Sequence, residues 1–289
     1  MELKDISVGV TGFIDILGFS AKVLSADNLE DIKELHRLIT LVQENFEFSN
    51  NDEMTQEVHE LAGKSVLAFS DCVVFNIPLE SESTKYSGTF DPFMMDLLSM
   101  AFSQGICVHN GLFVRGGIDI GWWYNKGDTL ISSALVTSAK REATANVPVI
   151  ALCEDLYEHF YGHSDRSTYS EAIDPIKAMF RHYEDSNTSF YYLDYIYLCL
   201  NNMDWSPRTK EEREQYQNAS YEQKNIIRNK GYESMIENWL IGHSSEIKKA
   251  AEKVKGDSKV YSKYEWLAAY HNDVVGEFTT NSDCLCKLG

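Results

Sequence analysis

The chain is short of positive charge. Its 289 residues carry 26 lysines and arginines against 44 aspartates and glutamates, a formal net charge of -18. Such a balance repels phosphate backbones and anionic headgroups at long range, which argues against general binding to nucleic acid or membrane surfaces. One small triphosphate remains admissible, because local basic groups, backbone amides or metal can neutralise it. Long apolar runs are also missing. No stretch reaches the ~20 residues of a membrane span and no apolar leader opens the chain, so a cytoplasmic location is expected. None of the six cysteines (Cys72, Cys107, Cys153, Cys199, Cys284, Cys286) forms a CxxC pair, and no HExxH motif occurs. Most of the cysteines sit in apolar runs and read as buried reduced thiols, whereas Cys284 and Cys286 in the polar tail read as either reactive or frayed. The GxGxxG fingerprint does not follow the first strand, which counts against a dinucleotide-binding fold. Internal repeats and low-complexity tracts are absent as well.

What is present is a globular pattern, 44% hydrophobic. Residues 8–16 read as a buried strand ending at Gly18, and residues 20–47 as one helix. A polar break falls at Ser49-Asn50-Asn51-Asp52. Residues 64–69 and 72–77 are two β-rich runs around Ser70-Asp71, a hairpin with an aspartate at its tip. After a polar loop at 81–88 come a helix over 93–107, a strand over 112–120 and a turn at Asn125-Lys126-Gly127-Asp128. A strand at 129–131, a helix over 134–145 and a strand over 147–152 follow. The order predicts an α/β sandwich with an antiparallel hairpin at its centre and helices on one side. Residues 1–165 are expected to form the core, and residues 166–289 a mostly helical extension packed on it. Within that extension, 207–217 reads as a charged mobile loop, while 221–255 and 261–271 read as helical.

Two segments carry chemistry: Phe13-Ile14-Asp15-Ile16-Leu17-Gly18-Phe19-Ser20 and Phe69-Ser70-Asp71-Cys72-Val73-Val74-Phe75. Burying the Asp15 carboxylate requires a metal, a cation or several donors. Asp71 serves either a tight turn or a metal. If the first strand and the hairpin are neighbours, both carboxylates converge on a hard-oxygen site suited to magnesium or manganese. Gly18 permits close approach of a phosphate to the following amides, although a plain strand-to-helix turn has the same sequence. Trp122-Trp123-Tyr124 reads as core or dimer packing, with base stacking as the alternative.

This pair of motifs resembles the catalytic domain of class III adenylate and guanylate cyclases, whose first strand and central hairpin each supply a metal-binding aspartate. Val114-Arg115-Gly116-Gly117-Ile118-Asp119-Ile120-Gly121 is similar to that family's later strand, and Ser133 to Glu142 lies where its catalytic helix falls. The tail Lys263 to Asn272, after Leu193-Asp194-Tyr195, resembles the Pycsar antiphage pyrimidine cyclases. The resemblance implies a ferredoxin-like core with a helical C-terminal extension and a head-to-tail homodimer with composite sites. It also implies two Mn2+ or Mg2+ ions per site, held by Asp15, Asp71 and the Ile16 carbonyl. Lys140 or Arg141 would stabilise charge at phosphorus, and Gly18, Phe19, Ser20 and Arg115 would meet the phosphates. Arg115 also reads as a structural ion pair. The sequence departs from the purine enzymes in having Leu67 at the base-reading lysine, Val136 at the catalytic asparagine and Lys140 at the arginine. Loss of the lysine removes a donor to the purine edge, which argues against ATP and GTP and fits the pyrimidine branch. UTP is the expected substrate and CTP the alternative, with no residue deciding between them. A cyclase-like module that senses nucleotide without turnover is the reading from another class.

Overall fold

A computed structural model describes residues 6–46, 61–126 and 129–289. The Ser49–Asp52 break and the Gly127-Asp128 part of the expected turn lie outside the described residues. By compactness the chain divides into residues up to Tyr195 and residues from Ile196 onward.

In the first unit the central strand is β1 (Ile6–Ile16), rich in β-branched and aromatic residues. β2 (Ser65–Phe69) and β3 (Cys72–Pro78) form the expected hairpin, with Ser70 at a positive φ of 53° in the tight turn. β3 pairs with one side of β1 and β4 (Val114–Lys126) with the other, both antiparallel. Helices join β1 to β2 and β3 to β4, and the sheet order β2-β3-β1-β4 is the ferredoxin-like arrangement. β5 (Thr129–Ser132) folds back on β4, and β6 (Ile150–Leu152) runs parallel to it. β7 (Phe180–Glu184) and β8 (Ser189–Leu193) lie past residue 165 yet extend the same sheet in the order β6-β8-β7.

The single helix expected over 20–47 is instead two, Phe19–Ser25 and Leu29–Phe46. The first ends at Ala26, and Asn28 starts the second, its Oδ1 accepting from the amides of Glu30 and Asp31 at 2.9 and 3.1 Å. In the expected polar loop, Ser81 and Thr84 exchange hydrogen bonds and open a short helix, Thr84–Ser87.

The expectation of helices on one side needs correction. The core on one face of the sheet unites Val10, Ile14 and Ile16 of β1 with Phe90, Phe93, Leu97 and Met100 of the helix Phe90–His109. Phe93 stacks on Phe160 of the helix Glu154–Tyr161 at 4.1 Å. The helix Ser133–Ala145 covers the opposite face. Its Ser138 hydroxyl donates to the Thr11 carbonyl at 2.8 Å, and its backbone rests on Gly117 and Gly121 of β4, where no Cβ stands in the way. Of the aromatic triplet, Trp123 is buried while Trp122 is 42% exposed.

In the second unit the long helices are Tyr221–Lys253 and Ser258–Phe278. The segment expected to be a mobile loop contains a helix, Lys210–Asn218. Thr209 and Glu212 form a capping box there that satisfies the first amides. The tail is not frayed: Cys284 and Cys286 are buried. Asn272 accepts from the Cys286 amide at 2.7 Å and donates to its carbonyl at 3.0 Å. No described helix is long and apolar enough to cross a membrane.

His243 and His271 are fully buried between the two long helices, their Nδ1 atoms 3.0 Å apart. His271 Nε2 lies 2.8 Å from the Cys284 carbonyl, which only accepts, so Nε2 carries the hydrogen and Nδ1 accepts from His243. Burial pushes the His271 pKa down to about 4, Lys248 adding to the fall and the carbonyl opposing it. A folded value below the unfolded 6.5 means that the unfolded chain binds the extra proton. The stabilising effect of a neutral His271 is therefore complete above pH 6.5 and is lost progressively down to about pH 4. By pH 5 the loss should reach about 2 kcal/mol. Denaturant titrations at pH 8, 6.5 and 5 check it: wild type should weaken between the last two, and His271→Gln should weaken less.

Candidate metal and nucleotide site

Register decides which side chains meet at the end of β1. Asp15 lies opposite Cys72 on β3 and opposite Arg115 on β4. Directly opposed residues point to the same face, so Arg115, Asp15 and Cys72 form a row across three strands. Asp71 closes the row from the turn before β3. Ligand atoms of Asp15, Asp71 and Cys72 all lie within 4.8 Å of one another, and all three residues are half-buried. Arg115 donates to Asp15 Oδ2 from Nε and Nη2 at 3.0 and 2.8 Å. The Cys72 thiol donates to Oδ1 at 3.8 Å. One carboxylate oxygen is therefore taken by the guanidinium, and the other faces the thiol.

The Leu17 amide donates to the Phe113 carbonyl on the β4 side at 2.8 Å. In the same trans peptide unit the Ile16 carbonyl points the opposite way, to the β3 side, where Asp71 lies.

Burial holds the Asp15 carboxyl above the ordinary carboxylate range, with Asp71 adding to the rise and Arg115 opposing it. The Cys72 thiol is pushed up to about 12 by burial first, then by the Asp15 and Asp71 charges. Arg115 has a second carboxylate partner: its Nε is 2.6 Å from Glu142 Oε1, on the helix Ser133–Ala145. Asp15 and Glu142 thus share one guanidinium, with the Asp71 carboxylate close to Asp15 as a further acidic group that a divalent cation would suit. The pair of carboxylates suits magnesium or manganese.

The other sequence-assigned residues fall as follows. Gly18 adopts the left-handed conformation at φ 77°, and nothing lies within 4 Å of the Cβ it lacks. The helix it precedes has only seven residues. Phe19 is buried and Ser20 exposed, so a ligand there would meet the Phe19 backbone rather than its ring. Arg115 makes the ion pair that was its alternative reading. Lys140 and Arg141 do not touch the carboxylates. Lys140 is exposed, beside Val136 at 54%, while Arg141 donates to the Ser189 carbonyl of β8 at 3.3 Å.

No protein-family profile matches the chain, and no curated protein does. The solved structures that it is similar to include adenylyl and guanylyl cyclase domains and a cyclase-like protein. A bacterial light-regulated adenylyl cyclase is 16% identical at a TM-score of 0.38, over 66% of this chain and 91% of that one. A monomeric guanylyl cyclase domain of a fusion protein from the aquatic fungus Blastocladiella emersonii is 12% identical at 0.39, over 65% and 94%. An adenylyl cyclase-like ATP-binding protein from Pseudomonas aeruginosa is 16% identical at 0.38, over 53% of this chain. The chain spans about a third of that last protein, 34%. Each is a likeness of chain trace at low identity.

Sequence reasoning missed two members of the cluster, Cys72 and Glu142. Cys72 sits beside Asp71 in the motif, but only the pairing register places it opposite Asp15. Glu142 belongs to a different element, 127 residues along from Asp15, and no local pattern marks it as the partner of Arg115.

Proposed function

We propose that the chain is a nucleotide cyclase that converts UTP into 3′,5′-cyclic UMP and pyrophosphate, as a second messenger in antiviral defence. The observation that carries the reading is the convergence of the Asp15 and Asp71 carboxylates where the central strand meets the hairpin tip. The motifs that resemble class III cyclases, and the Pycsar branch in particular, supply the substrate and the biological role.

In the reaction the ribose 3′-oxygen attacks the α-phosphorus, the bond to the β-phosphate breaks, and the 3′-hydroxyl proton goes to solvent. Two divalent ions, Mg2+ or Mn2+, would when bound neutralise the triphosphate and lower the pKa of the 3′-hydroxyl. Asp15, Asp71 and the Ile16 carbonyl would hold them. Arg115, itself held by Glu142, fixes the Asp15 rotamer. The backbone of Gly18, Phe19 and Ser20 would face the phosphates. Lys140, exposed on its helix, is suited to serve the site of a second copy in a head-to-tail homodimer, where it would stabilise charge at phosphorus. Arg141, anchored on β8, is the weaker claimant. Leu67, opposite Val74 in the hairpin, has no donor for a purine edge. Cytosine differs from uracil along one hydrogen-bonding edge, which keeps CTP as the alternative.

A nucleotide sensor without turnover is favoured by one feature, the apolar Val136 at the position resembling the catalytic asparagine. One assay separates these readings: purified protein with manganese and each of the four ribonucleoside triphosphates, products resolved by chromatography. Cyclic UMP is expected to exceed cyclic CMP, with little purine product. Much faster turnover of ATP or GTP would overturn the pyrimidine assignment, and tight UTP binding with no pyrophosphate release would replace the enzyme with the sensor.

A further inference from the structure

Cys72 is more than a packing residue of β3. Every residue from Val73 to Pro78 is buried, whereas Cys72 at the strand's start is half-exposed and lies on the row with Asp15. Its sulfur is 3.8 Å from Asp15 Oδ1, the oxygen that Arg115 leaves uncovered, and within 4.8 Å of a carboxylate oxygen of Asp71. The Ile16 carbonyl points to the same side of β1. Two carboxylates and a thiol whose ligand atoms lie within 4.8 Å of one another form a mixed hard and soft donor set. Oxygen-only sites discriminate against soft ions, while a thiolate among the donors selects for them.

We propose that Cys72 is a third side-chain ligand of the cation site formed by Asp15 and Asp71, and that its sulfur lets thiophilic divalent ions of the zinc and cadmium class compete there with magnesium and manganese. The proposal rests on the reading that this aspartate pair binds cations. On binding, the S–H bond breaks, the proton leaves to solvent and a sulfur–metal bond forms; no electron transfer is involved. Asp15 would then contribute Oδ1 while Arg115 keeps Oδ2, so the ion pair that fixes the carboxylate survives.

The chelator-stripped full chain, titrated with cadmium chloride alone, reads this directly. Cadmium–thiolate bonds absorb in the ultraviolet, and calorimetry gives the affinity. In wild type an absorption band should develop with one cadmium per site. Cys72→Ser should lose that band and bind cadmium at least about tenfold more weakly, with manganese affinity within about threefold of wild type. An unchanged band and affinity in Cys72→Ser would overturn the proposal. Asp71→Asn tests the underlying reading separately: unchanged manganese affinity there would mean that the aspartates bind no cation, whatever Cys72 does. A measurement on wild type alone avoids any folding defect of the variants. Cadmium, and not magnesium, should slow alkylation of Cys72, located by peptide mass; equal rates with both ions would refute the sulfur ligand.

Discussion

Asp71→Asn should abolish cyclic nucleotide formation and leave the fold intact. Asparagine serves a tight turn as well as aspartate does, so the hairpin between Phe69 and Cys72 keeps its conformation. The change removes only the charge and one anionic donor. Asp15 then loses its like-charged neighbour, and the carboxyl that burial and Asp71 together hold high in pKa should ionise more readily. Thermal stability should accordingly equal or exceed that of wild type. Turnover should not survive. Positioned divalent ions supply several kcal/mol of charge stabilisation to phosphoryl chemistry, so losing half of the carboxylate pair predicts a fall of about 10³-fold or more. Product formation with manganese and UTP, measured beside a melting curve, checks both halves. If Asp71→Asn turns over UTP at the wild-type rate, Asp71 is a turn residue and the proposed site is wrong. If it melts far below wild type, the activity loss carries no information about metal.

The fold's first half was legible because period-2 apolar runs and the Ser70-Asp71 punctuation are local signals that survive into the tertiary structure. β1, the β2–β3 hairpin and the Phe90–His109 helix lie close to the segments that hydrophobic periodicity marks. The two aspartates were legible for a related reason: a charged residue framed by apolar neighbours stands out in one dimension. What stayed hidden depends on register or on distance along the chain. Cys72 looks like another apolar strand residue until β3 is aligned on β1. Glu142 contacts Arg115 across a helix–sheet interface, and nothing around residue 142 announces it. The helix Lys210–Asn218 was misread because composition outweighed capping. Its charge-rich sequence looks like loop, yet Thr209 and Glu212 satisfy its first amides reciprocally. The placing of the helix Ser133–Ala145 on the second face was missed because the permission for close packing comes from two glycines of β4. Glycine in a strand is more often read as a weakness than as a docking surface.

Gly117→Ala should be among the most damaging single-methyl additions in the molecule. A Cβ at that position would stand 2.0 Å from the Ser138 carbonyl oxygen, 2.9 Å from its carbon and 3.0 Å from the Glu142 nitrogen. All three are backbone atoms of the helix Ser133–Ala145, so no side chain can swing aside and the helix has to lift from the sheet. Gly12 offers a contrast, since the atoms nearest to a Cβ there belong to the Phe75 ring, a side chain rather than backbone. Lifting the helix strains the Ser138–Thr11 hydrogen bond and pulls Glu142 away from Arg115. Overpacking against backbone then predicts a loss of about 3 kcal/mol or more. The damage should also reach the site. Arg115, released by Glu142, no longer holds Asp15 in a single rotamer, so manganese affinity should fall even where the variant remains folded. Gly256→Ala is the matched control, because nothing lies within 4 Å of its added methyl, and it should change stability by less than about 0.5 kcal/mol. Denaturant midpoints and manganese titrations of the two variants separate the possibilities. A Gly117→Ala protein with wild-type stability would mean that the helix rides higher over β4 than the register requires. One that loses stability yet binds manganese normally would show that Asp15 keeps its place without the Glu142–Arg115 anchor.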